Sequence, residues 1–334
     1  MTDESLNVVI TGGAGFIGTR LAAEILTRGS VAPAGTPSRP VARLTLVDHV
    51  APAARLGQDP RVAVCQGDLV AALDAGAGPL ADADVVFHLA AAVSAECERD
   101  FDLGMRANVT GTQAVLAACR LTGRTPVVVF ASSLAVFGGT DSHPLPDVVT
   151  DSTLPVPQSS YGTQKLIGEQ LVADYTRKGF ILGRSVRLMT VTVRPGRPNG
   201  AASGFLSGII REPLAGLRAN APVPADTAVA LSSPARAVEG LLCAAEAAPP
   251  RWGDPTAVNL PSVTVTVGEM VRTLERVAGP AVSALVGWES DEAIAAIVRS
   301  WPARFATTRA AALGLRPDDG FEAIVRTYLR DTAG

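Results

Sequence analysis

The run Asn7-Val8-Val9-Ile10-Thr11-Gly12-Gly13-Ala14-Gly15-Phe16-Ile17-Gly18 carries the fold. Its first five residues are short and mostly apolar, the pattern of a parallel strand buried on both faces. Glycines then allow a tight turn and a close approach of backbone to a ligand. Leu21, Ala22, Ile25 and Leu26 continue the run at helical spacing. A strand, a glycine turn and a helix in that order point to a pyrophosphate site rather than a plain tight turn, because a helix N-terminus presents unpaired N–H groups and a positive dipole end.

Further along, Arg43-Leu44-Thr45-Leu46-Val47 is a second strand ending at Asp48. An acid there accepts hydrogen bonds from ribose hydroxyls and repels a 2′-phosphate. With no arginine immediately beside it, the site favours NAD over NADP. Asp48 stands thirty positions after Gly18, against about twenty in the usual fingerprint, and the Pro- and Gly-bearing stretch Gly29–Ala42 accounts for the excess as a loop. Val62–Gln66 is a third strand with Gly67-Asp68-Leu69 at its end, where Asp68 either accepts from the adenine amino group or caps a helix. A fourth strand, Val85–Leu89, leads into Ala90-Ala91-Ala92, and His88 within it reads as a core histidine.

A helix is expected over Ala107–Leu121 with Asn108 near its start, and the fifth strand, Val127–Ala131, delivers Ser132 and Ser133 to the same sheet edge. Pro144–Pro157 reads as an ordered surface loop. The next helix bears Tyr161 and Lys165, four apart and therefore on one face. A phenol titrates near about 10, and a neighbouring ammonium lowers that value toward a base's working range. A sixth strand over Ser185–Val193 ends at Arg194-Pro195-Gly196-Arg197-Pro198. Helices are expected at Val267–Val277, Asp291–Val298 and Asp319–Leu329. Strands and helices alternate through residue 195, which predicts an α/β Rossmann-type doubly wound parallel sheet over 1–195. A smaller substrate-binding region over 196–334 follows, with segments returning to the first.

Composition removes other classes. At 47% hydrophobic and 18% charged the chain is globular rather than disordered, and a net charge of −3 leaves no footprint for nucleic acid. Apolar runs are too short to span a bilayer, and the acidic N-terminus lacks a signal pattern, so a cytoplasmic protein is expected. Cys65, Cys97, Cys119 and Cys243 have neither zinc nor redox spacing, and His49, His88 and His143 form no metal cluster.

Taken together, the Gly12–Gly18 turn, Asp48, Gly67-Asp68, Ser133 and the Tyr161/Lys165 pair resemble the extended short-chain dehydrogenase/reductase superfamily. The resemblance covers essentially the whole chain. It implies Ser133, Tyr161 and Lys165 as catalytic residues. It also implies NAD contacts from Gly12, Gly15, Phe16, Ile17, Gly18, Asp48, Asp68, Leu69, Leu89, Ala90, Ala91, Asn108, Tyr161, Lys165 and Pro195. Within the superfamily, Phe130–Gly138, Arg194–Asn199, Ala202–Phe205 and Arg211–Leu214 look like NAD-dependent sugar-acid oxidoreductases. That likeness implies oxidation of a small sugar acid at C2 with NADH formed, and substrate contacts from Ser94 and Ser133. Where sugar-nucleotide epimerases carry an asparagine after the sixth strand, this chain has Arg197, whose fork suits a carboxylate. Ala225–Ser232 departs from those oxidoreductases in lacking a Trp-His pair. A homodimer through the helices starting near Asn108 and Ser159 is also implied. The competing readings are a sugar-nucleotide epimerase or dehydratase that recycles bound NAD, and a non-catalytic dinucleotide sensor.

Overall fold

Strand β1 (Leu6–Thr11) is flanked by parallel neighbours on both sides. Parallel pairing requires a crossover, and the glycine turn feeds the first of these, helix α1 (Phe16–Arg28). In chain order β2 (Arg39–Asp48), β3 (Val62–Gln66), β4 (Val85–His88), α2 (Gly111–Thr122), β5 (Val127–Ser133), α3 (Ser160–Arg177) and β6 (Leu182–Leu188) follow, and Val258–Asn259 returns as β7. The order across the sheet is β3-β2-β1-β4-β5-β6-β7, with every pair parallel. The winding reverses between β1 and β4, and at such a point a crevice opens beyond the carboxyl ends of the strands. The structure, a computed structural model, describes residues 5–74, 76–196 and 201–333.

Alternate side chains of each strand serve opposite faces. On one, Val8, Ile10 and Val129 pack with Leu21 and Ile25 of α1; on the other, Val9, Val86, Val128 and Phe130 pack with Val115, Leu116 and Cys119 of α2. A third body of apolar side chains lies past residue 190, where Leu206, Ile209 and Ile210 of α4 (Gly204–Leu214) meet Leu231, Met270 and Leu274. The first face is completed by Val238, Leu241 and Leu242 of α5 (Pro234–Glu246), so the later part of the chain returns to the large sheet through α5 and β7.

Two expectations change. Gly29–Ala42 is a hairpin rather than a loop: Ser30–Val31 pairs antiparallel with Arg39 and Pro40, which lengthens β2 at its start. The strand expected over Ser185–Val193 is two pieces. β6 spans Leu182–Leu188, and Thr190–Val191 pairs with Ala228–Ser232, itself antiparallel to Val263–Thr266, in a separate three-stranded sheet. Both differences rest on which backbone a strand meets, a property the apolar pattern does not carry. The three C-terminal helices form at Val267–Ala278, Glu292–Arg299 and Phe321–Ala333. No helix among the described residues is long and apolar enough to cross a membrane.

Candidate active site

β5 runs out at Ala131-Ser132-Ser133, and α3 starts beside it. Ser159 caps α3 by accepting from the Gly162 N–H at 3.1 Å. A Cβ at Gly162 would lie 2.0 Å from the Ala135 carbonyl oxygen, so only glycine lets the first turn of α3 rest against the turn after β5. That contact brings the Tyr161 hydroxyl to the side of Ser133, close enough for the serine to favour its ionised form. Ser133 Oγ also accepts from the Ala135 N–H at 3.1 Å. One helical turn on, Lys165 Nζ donates to the Ala131 carbonyl at 2.8 Å, lying 5.7 Å from the Tyr161 ring centroid and 4.9 Å from that of Phe130.

The electrostatics differ from the sequence expectation that Lys165 depresses the tyrosine. Burial pushes the Tyr161 hydroxyl up to about 12, and the nearby Cys97 thiol adds to the rise; Ser133 and Arg194 pull the other way. The ammonium of Lys165 is turned to a backbone carbonyl, and burial brings it down to about 8 against the opposing pull of Cys97 and Glu169. Without ligand the site therefore holds Tyr161 as a phenol.

A cavity of about 330 Å³ lies in front of these groups. Gly12, Gly15, Phe16, Ile17, Gly18, Leu89 and Ala91 line one side, and Ser94, Ser132, Ser133, Tyr161 and Lys165 its floor; Thr190, Val191, Arg194, Ser203 and Trp301 close it from the later part of the chain. The dinucleotide fit rests on backbone. Gly12 has φ +72°, and a Cβ there would come 2.7 Å from the Ala90 amide nitrogen, so only glycine lets the turn lie against the backbone leaving β4. The first N–H groups of α1 have no carbonyl a turn earlier to bond, and they face anions favourably. Asp48, at the tip of β2, buttresses the turn by accepting from the Ala14 N–H at 3.0 Å and from the Val50 N–H at 3.3 Å. Among the described residues no three of His, Cys, Asp and Glu lie together as a metal would require.

The other expected residues divide. Asp68 caps the short helix Leu69–Leu73 through the Ala71 N–H at 3.0 Å and pairs with Arg106 at 2.7 Å, so its capping role is the one seen. Asn108 is buried and spent on protein: Oδ1 accepts from the Ala92 N–H at 2.8 Å, and Nδ2 donates to Gln164 at 2.7 Å and to the Ala92 carbonyl at 3.2 Å. It thus fixes the exit of β4 and lies behind the cavity wall. Ser94 is buried at the cavity and its Oγ accepts from the Ala202 N–H at 3.1 Å, tying that exit to the later part of the chain. His88 is a satisfied core residue, with 2.7 Å to Thr11 and 2.9 Å to Thr112. Pro195 is exposed and stands outside the cavity lining. Arg197 lies outside the described residues.

Sequence reading missed Arg194 as a cavity residue. Its Nη2 donates to Ser203 at 2.8 Å and its Nε to the Val191 carbonyl at 2.9 Å, which aims a cation toward Tyr161. Its position at the end of a strand was the available signal, but Arg197 three residues later drew the same inference. Ser203 stood within the Ala202–Phe205 stretch of the resemblance with no role attached, and Trp301 carried no signal, because only the tertiary fold brings them to the cavity.

The profile of the NAD dependent epimerase/dehydratase family matches residues 8–226. The chain is 48% identical over 326 residues to a D-erythronate dehydrogenase of Cupriavidus necator, with 98% of each chain covered. It is 40% identical over 324 residues to a D-erythronate dehydrogenase of Haemophilus influenzae, covering 97% of this chain and 99% of that one. A crystal structure described as a nucleoside-diphosphate-sugar epimerase from Agrobacterium tumefaciens superposes with a TM-score of 0.90 at 39% identity, covering 99% of this chain and 95% of the other.

Proposed function

The chain belongs to the NAD dependent epimerase/dehydratase family, and on that premise we propose that it oxidises D-erythronate at C2 to 2-oxo-tetronate, NAD supplying the hydride acceptor. The two full-length D-erythronate dehydrogenase relatives support this substrate. The observation that carries it is the meeting of Tyr161, Ser133 and the cation of Arg194 in one cavity with the glycine turn.

The Gly12–Gly18 turn would hold the pyrophosphate and Asp48 the adenosine ribose, and Asp68, beside its bonds to Ala71 and Arg106, would offer its remaining acceptor capacity to the adenine amino group. Leu89 and Ala91 would contribute surface along that edge, which Asn108 braces through Ala92, and Leu69, Ala90 and Pro195 would meet the dinucleotide only beyond the cavity lining. Lys165 holds the nicotinamide ribose. Ser133 hydrogen-bonds the substrate's C2 oxygen and keeps it against Tyr161, which takes the hydroxyl proton. Positive charge has to arrive with the cofactor to bring the Tyr161 hydroxyl down from about 12, since burial alone keeps it protonated. Arg194 meets the substrate carboxylate, Ser94 a substrate hydroxyl, and Arg197 lies near enough in sequence to add a second cation. The enzyme works as a homodimer packed through α2 and α3, beside which Phe101, Leu103 and Leu121 stand exposed. Its four unpaired thiols suit the reducing cytoplasm.

Net NADH formation from D-erythronate and added NAD, followed by absorbance, tests the reading. A panel of four- to six-carbon aldonates and uronates run beside it tests the acid. The likeness to a structure described as an epimerase supports a second reading, recycling of bound NAD on a sugar nucleotide. That reading gives product without net NADH, and such a result would replace the first.

A further inference from the structure

Below the cavity lies a buried ion pair that the mechanism above does not use. Tyr161, Lys165 and Glu169 recur every fourth residue, so all three lie along one face of α3. Their partners are three successive residues of β5: Ser133 for Tyr161, Ala131 for Lys165 and Ser132 for Glu169. Glu169 Oε1 accepts from Ser132 Oγ at 2.5 Å and from Arg187 Nε at 2.8 Å, and Oε2 accepts from Arg187 Nη2 at 2.7 Å. The side chains of Glu169 and Arg187 are 3% and 7% exposed. Arg187 is anchored on its far side by Asn259 at 3.4 Å and by the Phe137 ring, 4.7 Å from the guanidinium.

We propose that Glu169 is a positioning residue for the reaction at Tyr161: held by Arg187, its carboxylate fixes Ser132 beside the reacting serine and serves as counter-charge to Lys165. This rests on the dehydrogenase reading of the same site. Burying two charges is costly, and an apolar pair of equal volume often serves stability as well. Stability alone therefore gives little reason for the pair, whereas its position does. One face of the carboxylate orders the exit of β5, and its charge acts on an ammonium one turn away. Tyr161 and Glu169 face Lys165 from its own helix, Cys97 from the helix Ser94–Arg99 and His88 from β4, while Arg194 faces Tyr161. Glu169 is the carboxylate in that set. Burial lowers Lys165, and Glu169 opposes the loss of its proton.

The chain has two lysines, Lys165 and Lys178, the second exposed, so selective carbon labelling of the lysine ε positions yields two nuclear magnetic resonance signals. In the full chain saturated with NAD, Glu169→Gln is expected to lower the Lys165 midpoint by about one unit and leave Lys178 unmoved. The alkaline limb of the kcat profile with D-erythronate moves down with it, while KM for NAD changes little. Because Glu169→Gln strands a buried guanidinium, Glu169→Gln with Arg187→Met is run beside it. The double variant regains thermal stability yet keeps the displaced midpoint. If both variants lose stability while the midpoint and the limb stay where they are, the pair is structural and the proposal is overturned. The lysine titration needs no substrate. A displaced midpoint with no NADH from any acid therefore upholds the coupling and overturns the dehydrogenase reading.

Discussion

At the scale of single residues, the chemistry turns on a phenol that the fold keeps protonated until a ligand arrives. Tyr161→Phe removes the group that takes the proton but leaves the glycine turn and Asp48 untouched. Turnover is expected to fall by roughly 10²–10⁴-fold, with NAD affinity retained by equilibrium titration. Undiminished turnover would remove Tyr161 from the mechanism. In the wild type the tyrosinate absorbance attributable to Tyr161, obtained by difference from the Phe variant, is expected to appear at lower pH with NAD bound than without. A charge-assisted hydrogen bond is worth about 1.5–3 kcal/mol, so Arg194→Gln should lower kcat/KM for the acid by roughly tenfold to a hundredfold, and Arg194→Lys by less. Equal losses for Lys and Gln would mean that Arg194 acts through Ser203 and the Val191 carbonyl rather than on the substrate. The Tyr161/Lys165 spacing and the arrival of Ser133 at a strand exit were legible in the sequence because both are local, while the part assigned to Ser133 came only with the resemblance. The inward aim of Arg194 was not legible, since it depends on Ser203 and Val191, contacts made only once the later part of the chain folds back.

Between elements, the seam of β1, β4 and α2 is closed by a neutral imidazole. His88 bridges Thr11 and Thr112, and burial, together with the charge of Lys165, brings it from 6.5 to about 3. From pH 6.5 down to 3 the unfolded chain takes up a proton that the folded one refuses. Stability is therefore complete above the unfolded value and is lost as the pH falls, by up to roughly 5 kcal/mol for this group. His88→Asn, which keeps a polar group near the Nδ1 position but carries nothing that titrates, is expected to be less stable at neutral pH but to lose less between pH 7 and 4 in thermal melts. Identical pH slopes in the two proteins would show that other groups govern acid unfolding. The strands on either side were readable as buried and parallel from their near-continuous apolar runs, whereas right-handed crossovers only narrow the strand orders that such runs can take. The hairpin at Ser30–Val31 and the transfer of Thr190–Val191 to another sheet were not readable. Each is two residues long, and two residues carry no periodicity.

Over the whole molecule, the cavity takes one wall from the large sheet and the other from residues past 190, so ligand and fold are linked. A ligand bound only to the native state at a hundred times its Kd stabilises that state by about 2.7 kcal/mol. Unfolding entropy is about 2.1 cal/mol/K per residue, which over this chain's 334 residues converts that stabilisation to a rise of about 4 °C in Tm. NAD is expected to produce such a shift. NADP at equal concentration should produce a smaller one, because Asp48, held at the tip of β2 by the Ala14 and Val50 amides, cannot turn its charge away from a 2′-phosphate. Asp48→Ala should reduce the NAD shift and narrow the gap between the two dinucleotides. It also removes the bond to Ala14, so its melting temperature without ligand must be taken as the new baseline. Equal shifts for NAD and NADP in the wild type would mean that the tip of β2 does not meet the adenosine ribose. The dinucleotide would then cross the sheet edge along a different line from the one that the glycine turn and Tyr161 define.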